Sequence, residues 1–217
     1  MEIIEMEEML FSYYGDTGWW PGETLDEVLI GSILVQNTSW SNVEKSIKSL
    51  KDHALLSIRK LSLSRAEDIG PLIRSSGYYN QKAERLISVC SSIVGRYGSL
   101  SEMKKRPLSE VSEFLISLRG IGEETRDSIL NYALDFPVFV VDKYTFRILN
   151  RTGIMTEGNI DDVKRIIHAA IGTDLFRIKN LHGMIVNLGK DFCKTKPECR
   201  KCPLMKRCLY ASNSLTQ

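Results

Sequence analysis

Apolar residues recur at helical spacing along most of this chain, and short clusters of polar residues, glycine and proline separate the runs. Residues 2–14 carry that spacing and predict a first helix. The stretch GDTGWWPGE that follows is a loop by its glycines and proline, and it holds Trp19 and Trp20. Thr24 and Glu27 have the spacing of a capping box. The run behind them is apolar nearly all round (Leu25, Val28, Leu29, Ile30, Ile33, Leu34), which predicts a central buried helix. A polar cluster of Gln36, Asn37, Thr38 and Ser39 ends that run, with Trp40 next. Ser41 or Asn42 starts a helix that reaches about Leu50. Ser64 and Glu67 predict a second capping box before a short helix ending near Gly70 and Pro71, and Asn80 is placed to cap a helix running to about Val94. No alternating strand pattern, repeat or low-complexity tract interrupts this, so the expected class is all-α.

The second half is organised around residues 118–149. A helix over 108–118 meets the turn Gly120-Ile121-Gly122, and a new helix runs over about 123–134. The glycines allow positive φ and close approach, so amides of the turn can point outward together with a helix dipole behind them. A phosphate fits such a nest. An apolar connector containing Pro137 then delivers one acid, Asp142, directly before a helix over 144–150. Asn159 caps a run over 163–171, and Asp174 opens a helix that contains His182. Taken singly these pieces have plain structural readings. A G-x-G is often a tight turn, and Asp before a helix is most often its N-cap. A histidine on a helix is more often packed or hydrogen-bonded than a ligand.

The 217 residues suffice for one large or two small domains, and the net charge of +2 does not by itself announce nucleic acid. Basic residues are nevertheless dense over 190–207. The start, MEIIEMEEMLF, lacks the basic flank of a secretory signal, and no apolar run is long enough to span a membrane. The expected location is therefore cytoplasmic. Of five cysteines, Cys193, Cys199, Cys202 and Cys208 fall within sixteen residues as C-x5-C-x2-C-x5-C, while Cys90 stands in a predicted core helix. Clustered thiols in an intracellular chain favour metal over disulfides. Four thiolates suit zinc, yet a single C-x2-C pair flanked by two lone cysteines is unlike most zinc ribbons.

L-x-G-I-G-x-x-T followed by V-V-D-x-x-x-x-R resembles the helix-hairpin-helix DNA glycosylases of the endonuclease III superfamily. The cysteine spacing is similar to the [4Fe–4S] loop of that family, usually C-x6-C-x2-C-x5-C, with the first gap here one residue shorter. WWP, L-x-Q-N-T, S-G-Y-Y-N-Q-K-A and V-V-D-K-Y are most like the small bacterial 3-methyladenine-DNA glycosylases. The resemblance implies two helical lobes, one over 22–133 with the hairpin at about 108–134, and one combining 1–21 with 134–217. It makes Asp142 the catalytic acid and gives the backbone grip to Gly120, Ile121, Gly122 and Thr125, with Lys143 beside the acid meeting a phosphate. Trp19, Trp20, Gln36, Asn37 and Trp40 are expected at the flipped lesion, and Cys193, Cys199, Cys202 and Cys208 hold a [4Fe–4S] cluster or, alternatively, zinc. Lyase-type members carry a lysine just before the hairpin threonine, where this chain has Glu124, so hydrolysis without strand cleavage is expected. The implied substrate is an alkylated purine in duplex DNA, bound by a monomer at the nucleoid. The alternatives are a mismatch-directed uracil or thymine glycosylase and a non-catalytic DNA-structure-binding relative.

Overall fold

The computed structural model describes residues 1–215, and all regular structure among them is helical. The order is α1 (Ile3–Tyr14), α2 (Leu25–Leu34), α3 (Trp40–Asp52), α4 (Ile58–Leu61), α5 (Ala66–Ile69), α6 (Tyr79–Tyr97), α7 (Leu100–Met103), α8 (Leu108–Ser117), α9 (Glu123–Ser128), α10 (Lys143–Thr152), α11 (Ile160–Ile171), α12 (Leu175–Asp191) and α13 (Leu209–Leu215). A π-helical stretch, Ile129–Ala133, continues α9, and short 3-10 turns occupy Gly70–Ser76, Cys199–Lys201 and Met205–Arg207. No helix among the described residues is long and apolar enough to cross a membrane. The chain divides into two compact units, Pro21–Phe136, and Met1–Trp20 with Pro137–Gln217.

In the unit Pro21–Phe136 the apolar run reads out as expected: α2 is buried over residues 28–34 and packs against α3, α6, α7, α9 and the π stretch. Thr24 caps it by accepting the Glu27 amide at 3.1 Å. Glu27 reaches back to the amide of Glu23, not that of Thr24, so only half of the expected capping box forms. The α2 C-terminus is held from outside the helix. Lys82, 3% exposed, donates to the carbonyls of Leu34 and Ser76 at 2.8 and 2.6 Å. That bond satisfies a carbonyl the helix leaves open.

Two expected caps in this unit are not made. Ser64 donates to the Lys60 carbonyl, and the residue at the start of α5 is Arg65, which pairs with Asp68 instead. Tyr78, in the left-handed region at φ 47°, precedes α6, so Asn80 lies inside the first turn. The backbone there is set by the tight chain reversal at Gly77 and Tyr78, both at positive φ.

In the other unit α12 is the central helix, with α1 and α10 packed on it. Met6, Leu10, Phe139, Ile148, Leu181 and Ile185 are among the side chains that close its core. Two glycines notch α12. A Cβ at Gly183 would stand 2.7 Å from Cβ of Trp19, and one at Gly189 would run into the Tyr144 ring. Glycine is required at both because an aromatic ring lies against bare backbone. Asn159 and Asp174 cap α11 and α12 as their positions predict.

Candidate functional site

Asp142 sits at the N-cap of α10, and its Oδ1 accepts from the Thr145 amide at 2.8 Å and the Thr145 hydroxyl at 2.9 Å. Thr145 in turn accepts the Asp142 amide, closing a capping box around a fully buried threonine. The second oxygen, Oδ2, faces Nε2 of His182 at 3.7 Å, long for a hydrogen bond but short for a charge contact. Burial alone would raise the Asp142 carboxyl. The His182 ring and the Thr145 donors outweigh it and hold the carboxyl below the usual aspartate range. The site therefore presents a fixed carboxylate, shielded from bulk water, at the start of a helix.

Trp19 and Trp20 belong to the same unit as this acid. Trp19 meets the edge of Trp20 at 6.2 Å and of His182 at 6.3 Å, and the Lys190 ammonium lies 5.2 Å from its ring centre. The loop carrying them is tied to α12 by Asn180, which accepts from the amide and hydroxyl of Thr17. Lys143 is exposed, its ammonium 5.4 Å from the Tyr144 ring centre.

Gln36, Asn37 and Trp40 fall in the other unit, with the hairpin. Gln36 is fully engaged there. Its amide nitrogen donates to Thr125 Oγ1 at 2.9 Å and to the Gly120 carbonyl at 3.2 Å, and its oxygen accepts from Arg85. In this state it braces the hairpin turn. Asn37, at φ 56°, is exposed.

Within the hairpin, Gly120 takes φ 86° and lies against Arg85, whose side chain occupies the space a Cβ would need. Gly122 does not use its freedom: it caps α9 at φ −89° with open space around it. Gly120 and Gly122 are exposed. Ile121 turns inward, 5% exposed, and gives its amide to the Leu118 carbonyl. Thr125 is buried as well. The outward face of the turn is thus narrower than the glycine spacing suggests. The first turn of α9 also carries Glu123 and Glu124, which oppose an anion there.

The four clustered cysteines line one small cavity with Arg151 and Phe192 among its other walls. Arg151 binds the loop through the Lys194 and Thr195 carbonyls and approaches Cys193 Sγ at 3.4 Å. Burial pushes the Cys202 thiol up to about 11, and Cys199 also rises, through burial and then the neighbouring Cys208 and Cys193 sulfurs. A bound cation would favour the thiolate form of such a cluster. Among the described residues, no group of three or more His, Cys, Asp or Glu side chains is placed to hold a metal ion.

Sequence reasoning did not single out Arg85 or Thr145, and it read His182 as a packed residue. Thr145 stands three residues beyond Asp142, a spacing that signals a capping box. Nothing local marks Arg85 or His182, whose partners lie far away along the chain.

An all-helical fold thus carries a glycine hairpin in one unit and a capped, largely buried acid in the other. Residues 30–170 match the HhH-GPD superfamily of base excision DNA repair proteins, and the chain belongs to that family of DNA N-glycosylases. A protein of Methanocaldococcus jannaschii named as a DNA repair glycosylase is 42% identical over 210 residues, 95% of this chain and 96% of its own. Endonuclease III of Thermotoga maritima is 30% identical over 184 residues, 84% of this chain and 82% of its own. The solved structure of the H. pylori 3-methyladenine DNA glycosylase bound to 1,N6-ethenoadenine superposes with TM-score 0.79 at 28% identity, covering 88% of this chain and 98% of that one. An endonuclease III–DNA complex shares the fold at TM-score 0.82 and 21% identity, covering 99% and 97%.

Proposed function

We propose that this protein is a monofunctional glycosylase that hydrolyses the bond between sugar and an alkylated purine flipped out of duplex DNA, with Asp142 as its acid. The observation that carries the reading is the Asp142 carboxylate, capped, shielded and held in its charged form. Bond cleavage builds positive charge on the sugar, and a preorganised carboxylate stabilises it without reorganising water. An alkylated purine is already a good leaving group, so no strong general acid is required. Glu124, where lyase-type relatives carry their nucleophilic lysine, cannot form a Schiff base. Extrusion of the base costs roughly a few kcal/mol, which the protein recovers by stacking. Trp19, Trp20 and Trp40 are the stacking candidates, and Asn37 is an exposed polar group for the opened duplex. The exposed Gly120 and Gly122, with Lys143, serve as phosphate contacts.

The four cysteines suit a [4Fe–4S] cluster. Such a cluster takes one thiolate per iron, and the four thiols stand around one small cavity. When bound it would brace the loop over 193–208 against the core. Purified protein should be brown, with broad absorbance near roughly 400 nm; stoichiometric zinc in colourless, anaerobically prepared protein would exclude it.

One observation favours a second reading, release of a neutral lesion such as uracil or mismatched thymine. The Lys190 ammonium already lies 5.2 Å from the centre of the Trp19 ring. A cationic base stacked on that face would meet a like charge, whereas a neutral base would not. Base-release assays on duplexes carrying methylated purines, hypoxanthine, uracil, thymine mismatches and oxidised bases decide between the two. Release of methylated purines with no borohydride-trapped adduct supports the first; release confined to uracil or mismatched thymine supports the second.

A further inference from the structure

Asp142 uses only one carboxylate oxygen for its helix. Oδ1 takes both Thr145 donors, and Oδ2 is left to face His182 across 3.7 Å, with the two side chains 11% and 5% exposed. The imidazole is wedged in place. Phe139 meets it edge-on at 5.9 Å and Trp19 at 6.3 Å, and Trp19 can lie there because Gly183 offers no side chain.

Charged groups on the elements packed around this pair are turned to other partners. Arg147 donates to the Gly189 carbonyl, Lys190 lies over Trp19, and Arg177 pairs with Glu7. Asp191 accepts from Tyr14, and Lys143 lies over the ring of Tyr144. His182 is the group placed against Oδ2.

We propose that His182 is a positioning residue for Asp142, whose imidazole fixes Oδ2 and supports its negative charge during base release. This rests on the reading of Asp142 as the acid of that reaction. A buried carboxylate with only a helix cap beside it would tend to take up a proton, and a protonated acid cannot stabilise a sugar cation. The carboxylate shares its charge between both oxygens, and with Oδ1 held by the cap, His182 is the charge-bearing group facing the other one. This also gives Gly183 a second consequence, since it admits the indole that keeps the imidazole from swinging away.

The test is single-turnover base release against pH, beside duplex binding and thermal unfolding, on the lesion the wild type releases. His182→Gln keeps an N–H donor and most of the bulk but cannot carry charge. It should lose about tenfold or more in rate at neutral pH, with duplex affinity unchanged, and its acid limb should move to higher pH. His182→Asn, as a second variant, should move the limb the same way. A folded His182→Gln protein with the wild-type rate and acid limb would overturn the proposal, as would a change confined to binding. Asp142→Asn separates the two claims: if it still releases base, the reading of Asp142 itself fails.

Discussion

Helices α9 and α10 both begin with backbone N–H groups that no helix can satisfy internally. At α10 the chain supplies its own anion: Asp142 takes the Thr145 amide and hydroxyl, and its side chain is only 11% exposed. At α9 the cap is Gly122, exposed and without any side chain to bond the amides. One start is filled from within and the other is left for a visitor. A helix start favours negative charge in both cases: α10 supplies it from Asp142, and α9 has no such side chain at its cap. The open start is also the weaker attractor, because Glu123 and Glu124 stand in its first turn.

The comparison breaks most sharply at Asp142. Asp142→Asn keeps an oxygen for the Thr145 donors but removes the charge, so base release should fall by about 100-fold or more while duplex binding and melting temperature hold. A comparable loss of duplex binding, measured by fluorescence anisotropy, would mean that this end docks DNA as well. Next comes Gly120→Ala, which forces a Cβ into Arg85 at φ 86° and should cost about 1–3 kcal/mol in denaturant unfolding. Thr145→Val leaves Asp142 Oδ1 with one donor and should cost about 1–2 kcal/mol, with a higher acid limb for base release. At the small end, Glu123→Gln should tighten duplex binding by less than about threefold, and only at low salt. Gly122→Ala should leave folding stability within about 0.5 kcal/mol, since φ is negative there and no atom crowds the site.

Much of this was legible from spacing alone. Thr24, Asp142, Asn159 and Asp174 all cap the helices they precede, because capping is decided within three residues. The pattern failed in two ways. Ser64 and Glu67 have the letters of a capping box, but Ser64 bonds back to the Lys60 carbonyl and Arg65 pairs with Asp68, a local competition that the letters do not resolve. Helices α4 and α7 leave no periodic signal, being too short to show a face. At the candidate site the acid and its helix cap were visible, and the group facing its second oxygen was not. His182 lies forty residues beyond Asp142. Gln36 is joined to an arginine 49 residues away, a contact with the hairpin region that no local pattern shows.

Lys82, clasping the end of α2 beneath Gln36, bears on alkaline conditions. Burial, and then the nearby Arg85 charge, bring its amine down to about 8 from an ordinary lysine value near 10.5. Across that interval the unfolded chain binds a proton that the folded chain has released, so by linkage this residue makes folding more favourable as pH rises. The clasp itself survives the change, because a neutral amine still has hydrogens to give to the Leu34 and Ser76 carbonyls. Where most lysines surrender a charge-dependent contact in base, this one sheds a desolvation penalty and keeps its grip.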